Sequence, residues 1–199
     1  YQSMSGDADE GTGTFTATNS NLSINAKSNY YGTAPFFFST NTKAIINLEN
    51  NVISYGSGIL LKAIATDEWG KSGSNGADVT LNATNQNLSG DIEADNLSTV
   101  TINLSSDSSL TGAINSENIA KSITLKLDSS SKFVLTGDTY ITSLEDDDTT
   151  YKNIEFGKYK LYVNGTAITE SNKTSVQLTT YEAVVTIPED TTSSKGNHT

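Results

Sequence analysis

The chain of 199 residues contains no cysteine, no arginine, one histidine, one tryptophan, one methionine and two prolines. Without cysteine, disulfides, thiolate metal centres and a thiol nucleophile are excluded. The single histidine, His198, falls in the polar stretch "PEDTTSSKGNHT" that starts at Pro188. A Ser-His-Asp triad would have to draw on that stretch, and none is expected. The 12 basic residues are all lysines and face 23 acidic ones, for a net charge of -11. That balance repels a phosphate backbone, so nucleic acid is not an expected partner. No run approaches the 18 apolar residues of a membrane span, and no basic segment leads into an apolar one at the start, so neither membrane insertion nor a signal peptide is expected. Residues 1–4, "YQSM", read as the remnant of a cleavable expression tag. Residues 5–187 read as one domain and 188–199 as a polar tail or linker.

What the chain does contain is β-branched and small polar residues in alternation. Hydrophobic residues make up 35% of it, enough to build a core. They are spread thinly among Ser, Thr, Asn and Asp and form no helical stripes. The stretch from Val79 to Asp138 repeats itself three times, with alternating starts "VTLNAT" at Val79, "VTINLS" at Val100 and "ITLKLD" at Ile123. The spacings are 100 - 79 = 21 and 123 - 100 = 23. Alternation turns Val79, Leu81 and Ala83, with their counterparts in the other copies, inward, and turns Thr80, Thr101 and Thr124 outward. A Leu-Ser/Thr-Gly triplet recurs at Leu88, Leu110 and Leu135, which predicts an interior leucine ladder. Extended outward, the phase predicts further coil starts at Phe15, Ile46, Ile154 and Val176, with loop insertions at 28–35, 66–78 and 144–153. Two or three short strands per period of about 22, with no room for a helix, predict an all-β solenoid of about six to seven coils. The alternative with similar turn signals is an antiparallel β-sandwich.

The run from Val79 to Leu144, together with "LYVNGTAI" at 161–168, resembles the right-handed, single-stranded parallel β-helix domains of secreted bacterial surface proteins, which are adhesin-like and loosely described as carbohydrate-binding. The resemblance implies right-handed coils and an extracellular or cell-surface setting. Carbohydrate or a cell-surface protein then becomes the expected partner. It supplies no functional residues to carry over.

The candidate site comes from loop placement. The repeat phase sets "TDEWGKSGSNGAD" (66–78) just before Val79 and "LEDDDTTYKN" (144–153) just before Ile154, which predicts that both leave one corner of the solenoid. Trp69 and Tyr151 would form the walls of a shallow cleft, with Asp95, Asn96, Glu117 and Asn118 as its floor. Sugar rings bind such places through aromatic stacking and amide or carboxylate hydrogen bonds. Asp91, Glu93 and Asp95 share one strand face. The run Glu145 to Asp148 suits calcium, with Asp146, Asp147 and Asp148 as candidate ligands, although it lacks the spacing and glycine of an EF-hand loop. No other cofactor is expected. Polysaccharide elimination needs a basic residue poised for proton abstraction and hydrolysis needs carboxylates paired across the scissile bond. Neither signature stands out, so the expectation is a non-enzymatic adhesive or structural module, with a polysaccharide lyase or glycoside hydrolase as the alternative.

Overall fold

In the computed structural model, which describes residues 12–176, every regular element is a β-strand. Numbered in chain order, β1 (Thr12–Thr18), β4 (Lys43–Glu49), β7 (Asp78–Thr84), β10 (Thr99–Ser105), β12 (Ser122–Leu127) and β15 (Ser143–Asp146) form a six-stranded sheet in that order. All its pairings are parallel. Parallel pairing of Val79 with Val100 rules out the sandwich, whose neighbouring strands would run antiparallel. A second group follows each first strand. β2 (Asn21–Ser23) pairs with β5 (Val52–Ser54), and β8 (Asn87–Ser89), β11 (Ser109–Gly112), β13 (Lys132–Leu135) and β16 (Ile154–Glu155) form a further parallel sheet. The third group is β3 (Phe37–Ser39), β6 (Ile59–Ala63) and β9 (Asp91–Ala94), continued by a bridge from Ile92 to Ile114. It ends with β14 (Thr139–Ile141) parallel to β17 (Leu161–Val163), which turns back antiparallel into β18 (Thr166–Ile168). The result is an all-β, solenoid-like stack of mostly parallel strands. The stretches expected to be a tag remnant (1–4) and a polar tail or linker (188–199), and most of the coil expected from Val176, lie outside the described residues.

Alternation builds the core as expected. Val79, Leu81, Val100, Ile102, Ile123 and Leu125 are fully buried, whereas Thr80, Thr101 and Thr124 align on the outer side. Next to the threonines, Asn103 Nδ2 donates to Asn82 Oδ1 (2.7 Å), Asn82 Nδ2 to Asn47 Oδ1 (2.8 Å) and Asn47 Nδ2 to Thr16 Oγ1 (3.1 Å). Like residues therefore stack on like, with neighbouring coils set about 4.8 Å apart by the strand spacing.

Three register expectations need correction. Val79 lies opposite Ala44, and Ile46 lies opposite Leu81. A shift of two residues keeps every side chain on its own face, so alternation alone could not detect it. Ile154 belongs to the second sheet, opposite Phe133. The strand after β12 in the first sheet is the short β15, reached when Ile123 N donates to Thr142 Oγ1 only 19 residues on. The interior ladder is Leu88, Leu110, Phe133 and Ile154, with Leu135 opposite Gly112. Gly112 has a steric reason of its own, because a Cβ there would run into the Gly90 carbonyl.

The corner between the first and second sheets is polar inside. Asn19, Asn50 and Asn85 adopt left-handed φ values of 51°, 51° and 46°, a conformation that Asn tolerates better than most residues. The chain then turns one side chain inward per coil: Asn51, Gln86, Ser108 and Ser131, all buried. Ser20 N donates to Asn51 Oδ1 (2.9 Å), Gln86 N to Ser108 Oγ (3.1 Å) and Ser108 N to Ser131 Oγ (3.2 Å). Each coil thus satisfies the turn amide of the coil before it, which buried backbone requires.

Candidate functional site

The third strand group borders two recesses on the surface of the domain. On its outer side Lys62 of β6 lies opposite Glu93 of β9, with Nζ and Oε2 2.7 Å apart. Beyond Glu93 stands Asn115, one residue past the Ile92–Ile114 bridge. Asn115 organises the segment after it: its Oδ1 accepts from the Ile119 and Ala120 amides, each at 3.0 Å, and its Nδ2 donates to the Tyr140 carbonyl at 3.0 Å. With left-handed φ at Asn115 and Asn118, residues 116–120 form a ridge.

A recess lies on each side of that ridge. One, of 340 Å³, is bounded by Lys62, Ile64, Glu93, Asp95, Glu117 and Ile119, and Ile119 is 51% exposed. Asp95 is fixed there by accepting from Ala65 N (2.7 Å) and Leu97 N (3.2 Å). The other, of 410 Å³, holds Asn118, Tyr140, Tyr162 and Asn164. Its two tyrosines stack with centroids 4.6 Å apart and planes 5° from parallel, because β14 and β17 pair Tyr140 directly with Tyr162. A third recess of 520 Å³ lies at the foot of the 66–78 insertion and includes Asn96, Thr99 and Lys121.

The single two-walled cleft expected from the sequence does not form. Its floor is divided: Asp95 and Glu117 share the first recess, Asn118 lines the tyrosine recess and Asn96 lines the third. The walls stand apart because 66–78 joins the third strand group to the first, whereas 144–153 joins the first to the second. Trp69 is half-buried, its carbonyl accepts from Asn75 Nδ2 (2.7 Å), and it lines none of these three recesses. Tyr151 packs against the core, and burial, with the Asp146 charge adding to it, pushes its phenol up.

The acidic run is used for turns. Asp146 Oδ1 accepts from Asp148 N and Asn153 Nδ2, both at 2.9 Å, and Asp148 accepts from Thr150 and Lys152 amides. Asp146, Asp147 and Asp148 do not converge on a common point, and among the described residues no group of three or more such side chains is arranged to hold a metal. Asp146 Oδ2 is buried without a hydrogen-bonding partner. Burial pushes the Asp146 carboxyl above its ordinary range, the charges of Asp148 and Asp147 add to this, and the bonds from Asn153 and Asp148 N oppose it. A carboxyl raised by folding contributes stability that is complete below its unfolded pKa and is lost as pH rises through the folded one. The urea midpoint is therefore expected to fall over that rise, and Asp146→Asn to flatten this part of the profile. An unchanged profile in the variant would show that Asp146 does not titrate in this window.

Tyr140 and Tyr162 are the residues that sequence reasoning missed. The signal was present in "TYI" at 139 and "LYV" at 161, one coil apart with the same alternation. The class defined by fold and site is an all-β, solenoid-like domain with an aromatic recess on one strand group. No protein-family model, curated protein or solved structure matches the chain.

Proposed function

We propose that the chain is an extracellular, non-enzymatic module of a bacterial surface protein, a right-handed parallel β-helix that adheres by binding carbohydrate on its third strand group. The observation that carries this reading is the parallel pair Tyr140 and Tyr162 in an open recess with Asn118 and Asn164. Each ring covers one face of the other, so the outer faces and edges of the pair are what the C–H groups of a sugar can meet, and neighbouring amides supply both donors and acceptors for hydroxyls. The pair sits on strands, so its geometry is set before a ligand arrives, which lowers the ordering cost of binding.

A glycan array with the purified domain tests the reading. Tyr162→Ala is expected to weaken binding of the best array ligand at least tenfold while circular dichroism reports the same fold, and Tyr162→Phe to retain it, because stacking needs the ring. A domain that binds no glycan, or a Tyr162→Ala variant that binds as well as the parent, rejects the tyrosine recess as the site.

A further inference from the structure

Resting on that reading, we propose that the glycan site extends over the 116–120 ridge into the neighbouring recess and selects sugars that carry a free amine over neutral and uronic-acid sugars. The row Lys62, Glu93, Asn115, Tyr140, Tyr162, in which Asn115 itself is buried, advances one coil per residue, so both recesses lie on the same strand group. At about 4.8 Å per coil, Glu93 and Tyr140 are about 10 Å apart along the axis, within the span of a short oligosaccharide. The two recesses share Asn115 as a lining residue, so a chain lying on the tyrosines has only the ridge to cross.

The recess beyond the ridge has the dimensions and chemistry for one sugar unit. Its 340 Å³ has apolar sides at Ile64 and Ile119 that suit ring C–H groups. Its charged groups are three carboxylates, Glu93, Asp95 and Glu117, and one ammonium, Lys62, giving a formal charge of 1 - 3 = -2. The Lys62 ammonium is already held by Glu93 at 2.7 Å, so it does not offer an incoming carboxylate a vacant partner. Asp95 is oriented by two backbone amides and Glu117 stands on the ridge itself. A protonated sugar amine placed there gains charge-assisted hydrogen bonds, whereas a uronate meets like charge in a protein whose net charge is -11.

Calorimetry at mildly acidic pH with three probes decides the matter: a chitosan oligosaccharide with free amines, its fully N-acetylated counterpart, and an oligogalacturonate. The amine probe is expected to bind at least tenfold more tightly than the acetylated one, with the oligogalacturonate weakest. Glu117→Gln, on the exposed ridge, is expected to reduce that preference several-fold by weakening the amine probe. Tyr162→Ala is expected to weaken both chitosan-type probes. Equal binding of the amine and acetylated probes, both lost in Tyr162→Ala, overturns the selectivity and leaves the glycan reading standing. Amine binding that survives Tyr162→Ala but disappears in high salt overturns it too, because attraction to an acidic rod is then the whole effect. If none of the probes binds and the array is also blank, both readings fall.

Discussion

Phe133→Ala should destabilise the domain by about 3 to 5 kcal/mol in urea unfolding. Phe133 is fully buried and stands between Leu110 on the preceding coil and Ile154 on the following one. In a solenoid each coil is covered only by its neighbours, so a cavity at one level removes contacts from the levels above and below. The surrounding sheet cannot collapse into it, because parallel pairing of β11, β13 and β16 holds the backbone spacing. Leu110→Ala, in the same ladder, should cost about 2 to 5 kcal/mol. Leu135→Ala distinguishes the observed register from the triplet register, since Leu135 lies beside Gly112 and not in the Leu110 row. Additivity of Leu110→Ala with Leu135→Ala, and coupling above about 0.5 kcal/mol between Leu110→Ala and Phe133→Ala, is the expected pattern. The reverse pattern would contradict the ladder.

Gln86→Ala should cost at least about 3 kcal/mol, although it removes no apolar core residue. Gln86 Oε1 accepts from Asn51 N (2.7 Å) and Asn51 Nδ2 (3.1 Å), while Nε2 donates to the Asn51 and Asn87 carbonyls, both at 2.9 Å. Deleting the amide leaves backbone groups of the adjoining coil buried without partners, and each such group costs about 1 to 3 kcal/mol. Asn51→Ala should be strongly non-additive with Gln86→Ala, because the two changes remove the same bonds. Gln86→Glu keeps the acceptor but loses both donated bonds and buries a charge, so it should not rescue stability. A loss below about 1 kcal/mol for Gln86→Ala would mean that water substitutes for the amide and that this corner does not hold the coils together.

Both residues matter for the proposed site only indirectly, since neither lines the tyrosine recess. Their part is to keep the coils in step, and coil step is what sets Tyr140 directly beside Tyr162. The same dependence explains the misplacement of Tyr151. The 31-residue interval from Ile123 to Ile154 hides β15, a four-residue strand whose Glu145 and Asp146 do not resemble a sheet segment. Lys126 compensates by pairing with Glu145 at 2.7 Å, a contact visible only once the two strands are side by side.

The sequence by itself determined the first-sheet strands β1, β4, β7, β10 and β12 but not β15, the face each of their side chains takes and the match of Val79, Val100 and Ile123. Those follow from alternation with a period of two and from repeats of nearly constant length, which are local properties of the chain. Tertiary structure alone decided how many residues each corner consumes, which corner each insertion leaves, and which side chains become neighbours across coils. The left-handed asparagine turns, the buried Asn51–Gln86–Ser108–Ser131 row and the stacked tyrosines all depend on that bookkeeping. The physical reason is that a shift of two residues along a strand preserves the inside-outside pattern while changing every partner on the next coil. Only the summed hydrogen bonds and packing of adjacent coils can choose between such registers.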